Sequence, residues 1–113
     1  MVLLKNGIKI IDNVEIADNF FKRTKGLLGK KSVKDGYGMF FPSCNFIHTF
    51  FMQTGIDVVM VDGNFKVVYV RRSMRPFDVA FCPEAVHTFE FGRDVTKIKE
   101  IKKGDLLKLE QGD

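Results

Sequence analysis

The sequence predicts a β-rich α+β domain, with a mainly antiparallel curled sheet or partly open barrel of about seven to eight short strands and one main helix. Three observations lead to this class. Short apolar segments recur between turn residues, two of the turns contain Asn-Gly or Asp-Gly, and one segment, residues 19–28, has the spacing of an amphipathic helix. The 113 residues fit a single domain, residues 1–113.

The chain begins with a predicted hairpin. Val2–Lys5 and Ile8–Ile11 flank Asn6-Gly7, and these two residue types favour the positive φ angles of a type I′ turn. A third strand is predicted at Val14–Ile16, after a polar step in the sequence.

The main helix is predicted from Asn19 to Leu28. Asp18 is its expected N-terminal cap, and Gly29 is expected to end it. Its apolar and small residues recur at intervals of three and four: Phe20, Phe21, Thr24, Leu27 and Leu28.

Most of the later segments are predicted strands. Phe46–Gln53 is apolar on both sides, which is typical of a central strand covered on both faces. Ile56–Val61 and Phe65–Val70 flank Asp62-Gly63-Asn64 and predict a second hairpin. The other predicted elements are strands at Gly38–Phe41, Val79–Cys82, Ala85–Phe91 and Leu106–Leu109, and a helical turn over Arg93–Ile98 capped by Asp94.

Charge and composition limit the classes of function. The chain has 18 basic and 14 acidic residues, but its basic clusters are scattered along the sequence, which argues against a nucleic-acid partner. No apolar stretch approaches the ~20 residues of a membrane span, so no membrane partner is expected. Since no leader is recognisable, we expect a cytoplasmic protein whose two cysteines stay reduced.

An ordered set of motifs resembles a known family. The set covers most of the chain: Arg23-x-x-Gly26-Leu27-Leu28, Gly38-Met39-Phe40-Phe41, Ile47 to Met52, Ile56-Asp57-Val58-Val59 with Asp62, and Lys103-Gly104-Asp105. It resembles the prokaryotic domain-of-unknown-function family numbered 192. This chain has Phe51-Met52-Gln53-Thr54 where many members have Trp-Met-Lys-Asn-Thr. The resemblance implies a compact β-rich fold from bacteria or archaea and transfers no catalytic residue.

Two cysteines and two histidines occur as two Cys-then-His pairs of similar spacing, which suggests a zinc site. Cys44 precedes His48 by four residues and Cys82 precedes His87 by five, and thiolates with imidazoles suit a tetrahedral zinc ion. Zinc fingers instead group their ligands in close pairs. The alternative is that both cysteines are small buried apolar residues and that no cofactor is bound.

A second hypothesis is a hydrolase-like or metal-dependent enzyme that uses His48 and Asp57. A histidine becomes a general base when a carboxylate orients it, and a strand–turn–strand path would return Asp57 to His48. Thr49 belongs to the same group, and Arg23 or Arg75 would bind an anion. The alternative is a hydrogen-bonded core histidine beside a structural aspartate.

The favoured hypothesis is a module that binds a small molecule or a protein. The chain has 12 phenylalanines, more than a core of this size requires, and some of them would line an apolar cavity or groove with Arg71, Arg72 and Arg75 at its mouth. The plain alternative is that phenylalanine fills the core in place of tryptophan and leucine. The predicted ligand-binding residues are Arg23, Thr49, Met52 and Arg75.

Overall fold

The computed structural model describes residues 1–17, 36–50, 52 and 54–112. The predicted helix over 19–28, its cap and Arg23 lie outside these residues. Within them the chain forms ten strands and one short helix: β1 (Val2–Lys5), β2 (Ile8–Ile11), β3 (Asn13–Ile16), β4 (Tyr37–Phe41), β5 (Phe46–His48), β6 (Ile56–Val61), β7 (Val67–Met74), β8 (Val79–Phe81), β9 (His87–Gly92), α1 (Val95–Ile98) and β10 (Leu107–Glu110).

The strands form three sheets, and the predicted fold class is confirmed. The central sheet has the order β3-β4-β9-β6-β7, a three-stranded sheet has the order β10-β1-β2, and β5 and β8 form a two-stranded ribbon. Every pair is antiparallel except β3 with β4. The described strands form open sheets rather than a closed barrel. No helix in the described part is long and apolar enough to cross a membrane.

The central sheet is covered on both faces. Strand β6 is buried along its whole length because its alternate side chains enter two different apolar clusters. Val59 and Val61 pack with Leu3 of the three-stranded sheet, whereas Val58 packs with Ile47 of the ribbon. The ribbon therefore lies on one face of the central sheet and the three-stranded sheet on the other.

Strand β4 packs closely against β9 at a glycine. A Cβ atom on Gly38 would lie 2.7 Å from Cε1 of the Phe91 ring, which is completely buried. The ring thus occupies the space that any other residue at this position would need, so glycine is required here by close packing.

Both predicted hairpins form, but their turns differ. Asn6 (φ 50°) and Gly7 (φ 88°) have the predicted left-handed conformations between β1 and β2. In the second hairpin Asp62 Oδ1 accepts hydrogen bonds from the amides of Asn64 (2.9 Å) and Lys66 (3.0 Å), and Phe65 has the positive φ, 62°. The aspartate side chain, rather than an Asp-Gly type I′ turn, shapes this connection.

The prediction of a long central strand at Phe46–Gln53 was wrong. Strand β5 ends at His48 and pairs with β8 in the ribbon, and its Phe46 and His48 side chains are exposed. The strand ends because the next residue, Thr49, bonds to the turn before β8. Instead, β6, which lies between β9 and β7, is an interior strand covered on both faces.

Candidate functional site

Asp57, the predicted catalytic carboxylate, is a fully buried structural residue. Its Oδ1 accepts hydrogen bonds from the amides of Ser73 (2.8 Å) and Asp94 (3.2 Å), and its Oδ2 accepts from the amide (2.9 Å) and hydroxyl (2.6 Å) of Thr96. Ser73 lies in a β-bulge where β7 shifts register against β6, and its φ is 52°. Asp57 therefore holds the bulge and the start of α1 together.

The predicted cap position of the short helix is confirmed, but the predicted capping hydrogen bond does not form. Asp94 occupies the cap position with a φ of 73°, and its side chain makes no capping hydrogen bond. Asp57 supplies that bond from β6, and Arg72 Nε donates to the Thr96 hydroxyl (3.2 Å), which in turn donates to Asp57. The Thr96 hydroxyl thus links the Arg72 guanidinium to the buried Asp57 carboxylate.

His48 and Asp57 are not brought together. His48 lies exposed on the ribbon, where its ring contacts the Phe50 ring at a centroid distance of 4.9 Å. Among the described residues Asp57 accepts hydrogen bonds from three residues, and His48 is not one of them. The predicted histidine–carboxylate pair is not assembled in this structure.

The four predicted zinc ligands do not converge either. Both cysteines are free thiols: Cys44 Sγ donates to the carbonyl of Phe46 (3.2 Å), and Cys82 Sγ bonds to Glu84 (3.3 Å). The described ranges contain no group of three or more His, Cys, Asp or Glu side chains able to hold one metal ion. Burial, with the bond to Glu84, raises the pKa of the Cys82 thiol.

His87 is held as a neutral ring. Its Nδ1 accepts a hydrogen bond from the amide of Ser43 (3.0 Å), so the proton of the neutral ring lies on Nε2. The ring packs against Phe65 and Phe40 at centroid distances of 5.0 and 5.4 Å. Burial lowers its pKa below the ordinary value, because charging the ring in this apolar setting is unfavourable.

The outer face of the ribbon is the prominent apolar feature of the described surface. Phe46 of β5 lies opposite Phe81 of β8, and His48 lies opposite Val79. The inner residues of both strands are buried, whereas these four side chains are exposed. With Phe50, which contacts His48, and Phe77 in the turn before β8, they form what we call the aromatic face: Phe46, His48, Phe50, Phe77, Val79 and Phe81.

Thr49, a predicted ligand-binding residue, holds the turn that carries Phe77. Its side chain is fully buried; Oγ1 donates to the carbonyl of Arg75 (2.6 Å) and accepts from the amide of Asp78 (2.9 Å). Its backbone accepts from the amide of Phe77 (2.9 Å) and donates to the carbonyl of Asp78 (2.9 Å). Four hydrogen bonds thus fix both sides of Phe77, and Thr49 is a positioning residue.

Phe77 combines exposure with strain. It is 74% exposed and has a φ of 62°, a left-handed conformation that is uncommon for a bulky residue and costs about 1–2 kcal/mol. Glycine or asparagine would fit the turn at lower cost. A strained residue whose side chain stabilises little of the core points to a role at the surface.

The other predicted binding residues lie on either side of this face. Met52 is buried under the ribbon in the cluster that contains Ile47, so it supports the face from below. Arg75 is exposed in the turn beside Phe77. Arg71 donates to the carbonyl of Val79 (2.8 Å) and pairs with Asp78, so it fixes the edge of the ribbon.

The sequence hypothesis of an apolar cavity lined by phenylalanines is therefore only partly met. Four of the phenylalanines assigned to it are core residues, and three are exposed on the aromatic face; Phe51 lies outside the described residues. The buried ones are Phe40, Phe41, Phe89 and Phe91, and the exposed ones are Phe50, Phe77 and Phe81. Phe46 was missed because the pattern placed it on a strand covered on both faces, and no local signal showed that this strand ends at His48.

The aromatic face is large enough to act as a docking surface. At roughly 200 Å² for a whole aromatic side chain, its four phenylalanines leave roughly 400 Å² of apolar surface in water. The largest apolar patch on a typical monomer covers roughly 300–600 Å² and is often functional. Aromatic side chains on a fixed backbone lose little conformational freedom on binding, which favours affinity.

Two proteins of known sequence resemble this chain over part of its length. A curated UPF0127 protein from Pyrococcus horikoshii is 40% identical over 78 residues, which cover 64% of each chain. Another from Thermococcus sibiricus is 40% identical over 68 residues, 57% of this chain and 44% of that one. The chain thus matches less than two thirds of the length of either relative.

Solved structures show the same fold at low sequence identity. A protein of unknown function from Novosphingobium aromaticivorans has a TM-score of 0.84 at 18% identity, covering 96% of this chain and 84% of that one. A protein from Sinorhizobium meliloti described as a candidate transcription regulator has a TM-score of 0.76 at 17% identity, covering 84% and 79%. The model of DUF192, described as an uncharacterised ACR family, matches residues 2–109, and the chain therefore belongs to this family.

Proposed function

We propose that the chain is a binding module whose aromatic face docks a short apolar segment of a partner protein. The observation that carries this proposal is Phe77, a strained aromatic residue that is 74% exposed and fixed on both sides by Thr49. Its conformation costs the fold stability, and its side chain adds little to the core. Binding gives a reason for a phenylalanine at this position.

The size of the face favours a short segment over a stable dimer. A standard interface buries roughly 800 Å² on each partner, whereas the four phenylalanines offer roughly half of that. Weak or transient complexes use smaller areas. Phe46 and Phe81 form one row across the ribbon, and His48 and Val79 form the next. An extended segment with two or three large apolar side chains would fit between these two rows.

The rim of the face supplies polar contacts. The exposed side chain of Arg75 makes no ion pair with any described residue and lies two positions before Phe77, so it is available for an acidic group of the segment. Asp78, in the same turn, already pairs with Arg71, so that pair adds no net charge to the rim. We therefore expect an apolar segment followed or preceded by an acidic residue.

A peptide library displayed on phage tests this proposal. Selection on the wild-type domain is expected to enrich segments with large apolar residues and an acidic residue. The affinity of an enriched peptide is then measured by fluorescence polarisation for the wild type and for Phe77→Asn and Phe81→Gln. Each substitution is expected to weaken binding about tenfold or more, as loss of an aromatic anchor does.

Leu106→Gln is the matched control, because Leu106 is 54% exposed and Phe81 is 56% exposed, but Leu106 lies far from the ribbon next to β10. It is expected to leave the affinity within about twofold. Equal loss of binding in the control, or full binding by both phenylalanine variants, contradicts the proposal. Self-association of the wild type that Phe81→Gln abolishes would replace the partner segment with a second copy of the chain.

We also propose that the module acts in the cytoplasm. Cys44 is partly exposed and Cys82 is buried, and both are free thiols, which fits a reducing compartment. Localisation of a tagged chain in fractionated cells tests this, and recovery of the chain outside the cytoplasm would contradict it.

A further inference from the structure

Four lysines within residues 97–103 lie beside a fifth lysine, Lys5, which is distant from them in the sequence. Lys5 lies at the end of β1, and its Nζ donates to the backbone carbonyls of Lys99 (3.1 Å) and Glu100 (2.9 Å). The segment it reaches is α1 and the loop that follows it. We call this surface the basic end; its lysines are Lys5, Lys97, Lys99, Lys102 and Lys103.

The positive charge of the basic end is not neutralised locally. The carbonyls that hold Lys5 carry no formal charge, and none of the five lysines forms an ion pair in the described part of the chain. Residues 97–105 contribute two acids, Glu100 and Asp105, which leaves an excess of three positive charges with Lys5 included. Glu84 also lies near Lys103; with Glu84 counted, five lysines face three acids and the excess is two.

The pKa of Asp105 is affected by the lysines of the basic end. Its burial raises the pKa, but hydrogen bonds from the Lys102 amide (2.9 Å) and the Asn6 side chain (3.1 Å), with the charges of Lys5 and Lys102, hold the pKa below its ordinary value. Asp105 is therefore engaged inside the loop and is not free to pair with the outward-facing lysines.

Two exposed aliphatic residues accompany the lysines. Ile8 pairs across the hairpin with Lys5 and is 70% exposed, and Ile98 of α1 is 60% exposed. The backbone of this end is made of turn tips, including Gly7 (φ 88°) and Gly104 (φ 94°). Turns at the end of a sheet suit a flat partner, whereas an extended peptide needs a groove or a free strand edge.

We infer that the basic end binds an anionic lipid surface peripherally. Lysine ammonium groups attract anionic headgroups, and aliphatic side chains among them enter the interface between headgroups and acyl chains. Duplex DNA would gain nothing from Ile8 and Ile98, which favours lipid over nucleic acid. The expectation of no membrane partner rested on the lack of a spanning segment, and peripheral binding requires none.

Co-sedimentation with vesicles tests this inference. The wild-type domain is expected to bind phosphatidylcholine vesicles that contain phosphatidylglycerol and not vesicles of phosphatidylcholine alone. Each lysine near the surface is worth about a fivefold change in partition coefficient. The double variant Lys102→Gln/Lys103→Gln is therefore expected to bind about 25-fold more weakly, and Ile98→Ser about fivefold more weakly.

Lys108→Gln is the matched control, because Lys108 is exposed but pairs with Glu110 on β10; its binding is expected to stay within about twofold of the wild type. Circular dichroism of each variant confirms that it is folded. Failure to bind the anionic vesicles, or an unchanged partition coefficient in the double variant, overturns the inference. Tighter binding to a short DNA duplex than to the vesicles at the same ionic strength overturns it in favour of nucleic acid.

Discussion

The replacement Asp57→Asn tests whether the Asp57 carboxylate stabilises the fold or serves catalysis. The two side chains have nearly the same shape, so the change leaves no cavity and acts on hydrogen bonding alone. Asp57 Oδ1 faces the amides of Ser73 and Asp94, and Oδ2 faces the amide and hydroxyl of Thr96. In either orientation of asparagine, its NH₂ group faces at least one of these buried backbone donors.

The expected loss follows from the bonds that fail. A hydrogen bond to a charged group contributes about 1.5–3 kcal/mol, and a buried donor without a partner costs about 1–3 kcal/mol. One or two of the four bonds to Asp57 are lost, depending on the orientation of the asparagine, so the free energy of unfolding should fall by roughly 2–5 kcal/mol. A domain of this size has roughly 5–15 kcal/mol in total, so the variant loses a large part of its stability.

Urea unfolding followed by far-ultraviolet circular dichroism measures this loss. Asp12→Asn is the control, because Asp12 is exposed and its ion pair among the described residues is the exposed one with Lys9; it should change the free energy by less than about 1 kcal/mol. A loss below about 1 kcal/mol for Asp57→Asn would refute the structural role. It would also reopen the hypothesis that this carboxylate serves catalysis.

Three further predictions concern packing, pH and strain. Gly38→Ala should lower the free energy of unfolding by about 1–3 kcal/mol because a buried ring fills the space, whereas Gly36→Ala, which meets no atom within 4 Å, should not; thermal unfolding of both compares them. Because the pKa of His87 is lowered by folding, the unfolded chain binds a proton at a higher pH than the folded chain does. The stability that neutral His87 contributes is therefore complete above about pH 6.5 and is lost as the pH falls through the pKa of the folded state. His87→Asn, which keeps an acceptor and cannot titrate, should reduce that slope between about pH 6.5 and 5 in urea titrations; an unchanged slope would assign it to another group. Phe77→Asn should keep or raise the melting temperature, since asparagine tolerates the left-handed conformation and little buried surface is lost; a clear decrease would show that the ring supports the core.

Local chemistry predicted most of the strands and one of the turns. The Asn6-Gly7 hairpin and the extents of β1, β2 and β6 follow from turn residues and β-branched runs that act over a few positions. The second hairpin was located correctly, but its turn depends on the Asp62 side chain, which competes with the Asp-Gly preference. Neighbouring residues decide such features, so a sequence pattern is able to predict them.

Features that depend on distant contacts were not predictable in the same way. The pattern at residues 46–53 does not show that Thr49 binds a turn almost 30 positions later and ends the strand. Likewise, Asp57 looks available for catalysis until α1 and the β7 bulge are placed around it. Four lysines of the basic end are neighbours in the sequence, but the addition of Lys5 depends on its contact with the loop after α1.

Chemical-shift mapping by NMR tests the docking of a segment on the aromatic face most directly. On titration with a peptide selected on the wild-type domain, the largest amide shifts are expected at residues 46–50 and 75–81. The amides of the three-stranded sheet, β10-β1-β2, are expected to stay in place. Shifts concentrated on the three-stranded sheet, with those of the ribbon unchanged, would contradict the proposed function.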